Sequence, residues 1–272
     1  MQSKRSSTNS PVMKNKIDTI PELSEYLGLK NLSRQYHTII QQAHEKQLGF
    51  AEFLELILQQ EAVRKRESSI QYRIRESHLP RPFKLLGDFD FSFQPNLRKS
   101  LIMDLATMEF IKNKESLLII GDNGVGKSHL AQALAMIAIE KGHKVLYTTC
   151  SALITDLNNG VFEKNLAKHL RRYTSPDLLI IDEMGHDRLE LQLTKEAHLL
   201  FKVVDERYLH NRPLIFTTNV EENAWAEYLG DPISTRAILD RIFHCSVQIR
   251  IKGPSYRQHQ GKELQKKYEK HR

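Results

Sequence analysis

Cysteine is scarce: Cys150 and Cys245 are the only two in 272 residues, and they lie far apart in the chain. That excludes a disulfide framework and a cysteine-ligated zinc site, and it favours a reducing, cytoplasmic setting. Long apolar runs are missing too. No stretch approaches the roughly 18 consecutive apolar residues of a membrane span, and the opening MQSKRSSTNSPVMKNK has no apolar core of the kind a signal peptide needs. There is no internal repeat and no low-complexity segment. With 40% hydrophobic and 27% charged residues, the chain has the composition of a folded protein, long enough for one large domain or a medium domain with a small one.

Charge is abundant but uneven. The 40 basic and 33 acidic side chains give a formal +7, distributed as +5 over residues 1–100, −5 over 101–240 and +7 over 241–272. An acidic middle between basic ends points to a central chemical domain whose flanks meet a polyanion.

Four segments follow from the pattern: a disordered leader over 1–17, a small all-helical N-terminal domain over 18–82 for polyanion or partner binding, a larger domain over 83–252 and a basic tail over 253–272. Thr19 and Pro21 open the first helix. The stripe Phe50, Phe53, Leu54, Ile57 and Leu58 marks a later one, which runs on into a basic stretch holding Arg64, Lys65, Arg66, Arg73 and Arg75. Glu61, Glu67 and Glu76 lie among them, but residues 61–84 hold 7 basic and 3 acidic side chains, so pairing leaves an excess for DNA phosphates. Residues 84–95 alternate Phe89, Phe91 and Phe93 with polar residues, as an extended segment burying one face would. These rings are expected mainly in the core, with a wall beside a purine base as the alternative.

From residue 100 onward, apolar runs such as LLII, VLYTT, LLIID and LIFTT alternate with amphipathic helices. Strands buried on both faces with helical crossovers predict an α/β fold, three layers around a parallel sheet. Gly121-Asp122-Asn123-Gly124-Val125-Gly126-Lys127-Ser128 fits G-x-x-x-x-G-K-[ST] between a strand and a helix. In that setting backbone N–H groups and the helix N-terminus cradle phosphates, Lys127 reaches the β- and γ-phosphates, and Ser128 offers a hydroxyl to Mg²⁺. His129 is expected as an exposed first-turn residue of the same nucleotide-binding stretch, not as a metal ligand.

Asp182 and Glu183 end the strand LLIID; Asp182 suits the metal-holding acid and Glu183 the base that polarises a water for attack on the γ-phosphate. Asn219, after LIFTT, is expected to face that phosphate from a strand lying between the P-loop strand and the acidic strand. Arg236 and Arg241 share one short helix. An arginine there, Arg241 in preference to Arg236, is expected to complete a neighbouring subunit's site.

These residues together resemble an AAA+ ATPase of the initiator and helicase-loader type, related to DnaA and DnaC. More closely, the chain resembles the IstB-like ATP-binding proteins encoded beside the transposase in bacterial insertion sequences. GDNGVGKSHLA, LLIIDEMG, KVVDERY, FTTN, AWAEYLGDP, AILDRI and the closing Gly253-x-Ser255-Tyr256-Arg257 carry the likeness. It implies ATP and Mg²⁺ as cofactors, ATP-dependent assembly into a homo-oligomer, binding of double-stranded DNA, and a partner transposase whose action is stimulated or targeted. Two departures stand out. MGHDRLELQL after the acidic pair is more charged than is usual, and too few residues follow VQIRI for a full C-terminal lid domain, so any second sensor arginine comes from the tail, with Arg257 the candidate. The alternatives are a replicative helicase loader and a nucleotide-gated adaptor with negligible turnover. Glu183, Asn219 and the basic ends argue against a small-molecule kinase.

Overall fold

A computed structural model of the chain describes residues 20–184, 193–221, 224–225 and 232–269. The leader over 1–17 and the charged stretch over 185–192 lie outside them, as does most of AWAEYLGDP. The chain divides into two compact units at Ser69/Ile70.

The first unit holds α1 (Ile20–Tyr26), α2 (Lys30–Glu45) and most of α3 (Phe50–Glu76). Ile39 is buried between them. Glu61, one of the acids expected among the α3 cations, is buried instead, and its Oε1 accepts the Leu32 N–H at 2.6 Å, satisfying an unpaired donor in the first turn of α2. Phe50, Leu54 and Leu58 line one exposed side of α3.

The second unit contains the end of α3, α4 (Lys99–Leu105), α5 (Glu109–Lys112), β1 (Ser116–Gly121), α6 (Lys127–Glu140), β2 (Val145–Thr149), α7 (Cys150–Phe162), α8 (Leu166–Thr174), β3 (Leu178–Met184), α9 (Leu193–Leu209), β4 (Leu214–Thr218), α10 (Pro232–His244), β5 (Ser246–Ile251) and α11 (Tyr256–Glu269). Residues from Ile70 onward fall here because Ile74 and Leu79 join the sheet's core. Ser77 also uses its carbonyl to take the Tyr147 N–H at 2.8 Å, covering the open edge of β2.

All five strands are parallel, in the order β2-β3-β4-β1-β5. Strand β4 therefore lies between β3 and β1, where the sequence placed it. Alternate residues of β1 to β4 feed opposite cores, whereas edge strand β5 feeds one. Leu117, Ile119, Leu178, Ile180 and Ile215 pack under α4, α5 and α6; Leu118, Ile120, Leu179, Ile181 and Phe216 pack under α7, α8, α9 and α10. Covering both faces is what makes the central strands nearly all apolar, while β5 alternates, with Gln248 and Arg250 exposed.

The segment over 84–95 differs from expectation. It is a 3₁₀ turn at Leu86–Asp88 followed by turns, not a strand. Asp90 causes the bend: its Oδ1 accepts from the N–H and Oγ of Ser92 and from the Phe93 N–H, an Asx turn that competes with extended pairing.

Candidate functional site

The loop after β1 closes over α6 in a way only glycine permits at two positions. Gly124 has φ +83° and Gly126 φ +105°, a region costly for residues with a Cβ. Space is lacking as well: a Cβ on Gly126 would come within 2.6 Å of the Phe89 ring, and one on Gly124 would collide with the Ser255 hydroxyl. The loop is thus clasped from both sides. The Tyr256 N–H donates to the Gly124 carbonyl at 2.9 Å, and Gln94 Nε2 donates to Pro254 O at 3.0 Å, joining the 84–95 segment to the chain after β5.

Between these parts lies a cavity of about 410 Å³. Asn123, Gly124, Val125, Gly126, Lys127, Ser128 and His129 line its floor, and Glu183, Thr217 and Asn219 line one end. Phe89, Phe93, Tyr256 and Arg257 also line the cavity. Its size suits a nucleotide. Phe93 meets Tyr256 edge-on at 5.0 Å, so the phenylalanine repeat supplies a cavity wall as well as core. His129 Nε2 lies 2.8 Å from Leu85 O, fastening the 84–95 segment to the first turn of α6. Arg257, the tail arginine suggested by the sequence, faces the P-loop cavity.

Lys127 Nζ donates to the carbonyls of Gly121 and Asp122, each at 2.8 Å. Burial lowers its pKa, with Asp182 and Asp122 opposing that shift. Asp182 is buried and held by hydroxyls. Ser128 Oγ donates to its Oδ1 at 2.9 Å, Thr217 Oγ1 donates to the same oxygen, and Tyr147 OH donates to Oδ2 at 2.5 Å. Burial and the Asp182 carboxylate push the Tyr147 phenol well above its ordinary pKa, so it remains a donor. Thr217 Oγ1 also accepts the Glu183 N–H at 3.1 Å. Glu183 sits at φ 59°, where the β3–β4 register shifts between Ile181 and Met184. That irregularity leaves the Glu183 side chain exposed at the cavity while Asp182 and Met184 are buried.

This donor set fits a small divalent cation. Ser128 directs its proton to Asp182 and keeps its lone pairs free, and hard cations of this kind take oxygen ligands, often with only one or two carboxylates alongside substrate phosphates. Among the described residues no cluster of three or more His, Cys, Asp or Glu forms an all-protein metal site.

The two arginines of α10 part company. Arg241, preferred on sequence for a neighbour's site, is engaged within its own chain. Its Nε bonds Asp205 Oδ1 at 2.6 Å, its Nη1 bonds Ala237 O at 3.1 Å, and its guanidinium covers Phe201 at 4.8 Å. Sequence suggested Asp240 as the nearby acid; the partner comes from α9 instead. Arg236 is exposed. Neither lines the nucleotide cavity. Of the basic residues on α3, Arg64, Lys65 and Arg66 belong to the first unit and Arg73 and Arg75 to the second. Lys65, Arg66 and Arg75 are exposed, and Arg75 lies over Tyr72.

Sequence reasoning missed Tyr147, Thr217 and Gln132. Thr217 opens the polar triplet Thr217-Thr218-Asn219 that ends the run LIFTTN, and Tyr147 is a hydroxyl in the largely apolar run VLYTT; those were the available signals.

Known proteins resemble this chain in sequence and in fold. The family model described as IstB-like ATP binding protein matches residues 22–264. A Geobacillus stearothermophilus protein named as an ATP-binding protein of insertion sequence IS5376 is 37% identical over 88% of this chain and 94% of its own. A Pseudomonas aeruginosa protein named for IS21 is 35% identical over 85% of each. Among solved structures, DnaI superposes with TM-score 0.54 at 19% identity, covering 64% of this chain and 95% of that one. AMPPCP-bound DnaA from Aquifex aeolicus superposes at 0.52 and 18% identity, covering 69% and 56%. The structural likenesses show a shared α/β fold; the family match over most of the chain makes the assignment plain: this chain belongs to the IstB-like ATP-binding proteins of insertion sequences.

Proposed function

We propose that the protein is an ATP-hydrolysing transposition helper that self-assembles with nucleotide, binds duplex DNA and acts on the transposase of its own element. The observation that carries the hydrolytic part is the meeting, at one cavity, of the P-loop, a buried carboxylate bonded to its serine, and a second carboxylate whose backbone is fixed by Thr217. Loop N–H groups bind the phosphates, and Lys127 exchanges its two carbonyl acceptors for β- and γ-phosphate oxygens. Ser128 and Asp182 would hold Mg²⁺, which would supply charge neutralisation at the phosphates. Glu183 orients a water and takes its proton; Asn219 holds that water from just beyond the end of β4. Phe89, Phe93 and Tyr256 flank the base, and Arg257 supplies a cation from the tail.

Arg236, exposed on α10, is the residue we assign to the neighbouring subunit's γ-phosphate, because Arg241 is already committed to Asp205. DNA contact is assigned to Arg64, Lys65, Arg66, Arg73 and Arg75 and to the basic tail, and the exposed Phe50, Leu54 and Leu58 stripe to the protein partner. Insertion-sequence relatives support the transposase as that partner.

Glu183→Gln is expected to bind ATP like the parent and to lose turnover on the order of 10²–10³-fold. Parent-like phosphate release overturns the base assignment, and a parent with negligible release favours the adaptor reading. DNA affinity is expected to fall steeply with salt and to depend weakly on sequence; a flat salt response in a filter-binding titration removes the phosphate-gripping role.

A further inference from the structure

Tyr147 stands on β2, two residues before Thr149, which is in register with Asp182 on β3. Residues two apart on a strand share a face, separated by about 6–7 Å along it. A side chain starting at position 147 therefore needs the full length of a tyrosine to reach the Asp182 carboxylate, and serine or threonine there would fall short. The hydroxyl donates to Asp182 Oδ2 at 2.5 Å, and the Gln132 side chain of α6 lies beside the phenol. Packing alone does not call for this hydroxyl. Phenylalanine would fill the same space beside the core, and a buried hydroxyl is unfavourable unless bonded.

The two oxygens of Asp182 are treated differently. Oδ1 takes the hydroxyls of Ser128 and Thr217, whereas Oδ2 takes Tyr147. A carboxylate turning about its Cβ–Cγ bond would offer either oxygen to the P-loop serine.

We propose that Tyr147 is a positioning residue for the metal–nucleotide complex: by holding Oδ2 it locks the Asp182 carboxylate so that Oδ1 faces Ser128 and the divalent cation. This rests on Ser128 and Asp182 being the metal-holding pair. Gln132 lies beside the phenol, so a change there is expected to disturb Tyr147 less than removal of its hydroxyl does.

The test is a Mg²⁺ titration of fluorescent ATP-analogue binding by the full-length chain, parent against Tyr147→Phe. Affinity without Mg²⁺, carried by the P-loop, is expected to be unchanged. The Mg²⁺ concentration that half-restores tight binding is expected to rise about 10-fold, as for loss of groups that orient metal ligands, and excess Mg²⁺ is expected to recover most of the turnover. An unchanged Mg²⁺ midpoint overturns the proposal. Equal loss of binding with and without Mg²⁺ also overturns it, because the ring would then be structural. A parent insensitive to Mg²⁺ overturns both the proposal and the metal assignment of Asp182. Gln132→Leu provides a second arm that leaves the tyrosine in place: a smaller shift in the same direction supports the proposal, and no shift in either variant rejects it.

Discussion

Strands β3 and β4 carry a buried charge at each end, and the two are held in opposite ways. At the C-terminal end Asp182 is gripped by the hydroxyls of Ser128, Tyr147 and Thr217. Beyond the N-terminal ends, Arg207 of α9, fully buried, donates to the carbonyls of Tyr173, Pro176, Asp177 and Pro213 at 2.6–3.4 Å. Burial lowers the Arg207 pKa to about 9, which still leaves it charged at neutral pH. Neither charge depends on an opposite charge in these contacts; each is solvated by neutral dipoles. The difference is in what those dipoles can do. Hydroxyls rotate, so the donors around Asp182 can turn to admit a cation and phosphates from the adjoining cavity. Backbone carbonyls are fixed by the fold, so the acceptors around Arg207 can only hold. One end of the sheet is built for exchange, the other for permanence.

That contrast can be broken at its rigid end first. Arg207→Met removes a cation whose loss leaves four carbonyls short of donors, and urea unfolding is expected to show a loss of about 3–5 kcal/mol with nucleotide affinity of the folded fraction retained. A loss below about 1 kcal/mol would mean that the carbonyls find other donors and the staple is dispensable. At the exchangeable end the expectation reverses. Asp182→Asn keeps an acceptor for Ser128 and Thr217 but turns an amide N–H toward the Tyr147 hydroxyl, and is expected to cost about 1–2 kcal/mol, less than Arg207→Met, while ATP turnover falls on the order of 10²-fold. An unfolding shift as large as that of Arg207→Met would erase the distinction between the two ends. The smallest expected effect sharpens the same comparison on α10. Arg241→Gln breaks a half-exposed pair with Asp205 and is expected to cost about 1 kcal/mol or less, with assembly-stimulated hydrolysis retained. Arg236→Ala is expected to leave the unfolding midpoint in place and abolish that stimulation. The opposite outcome returns the trans-acting role to Arg241.

What could be read from the sequence were the parts of the site contiguous along the chain. Gly121 to Ser128 is one loop, and Asp182 and Glu183 are neighbours at a strand end, so spacing alone assigned them. Tyr147 and Thr217 became visible only through register: β2 aligns Thr149 with Asp182, and the shift between Ile181 and Met184 brings Thr217 to both the Asp182 side chain and the Glu183 amide. No local pattern encodes which residues face each other across strands 30 or more positions apart. Arg207 hid for another reason. A cation late in an amphipathic helix reads as solvated, yet it continues the buried side of α9 formed by Ala197, Leu200 and Val204; a charge on that stripe was the missed signal. The bend at Asp90 shows the limit of alternation, because the phenylalanine pattern described burial correctly but not backbone.

The clasp between Gln94 and Pro254 spans 160 positions, and the cavity it helps enclose takes residues from Phe83 to Gln260. During synthesis, then, the P-loop emerges between its two walls: Phe89 and Phe93 precede it and Tyr256 and Arg257 follow it by about 130 positions. Domains fold as units as the chain emerges. A chain that has emerged only as far as β4 carries the phosphate-binding loop without Tyr256 or Arg257 beside it, so the cavity is completed only when the segment after β5 has followed.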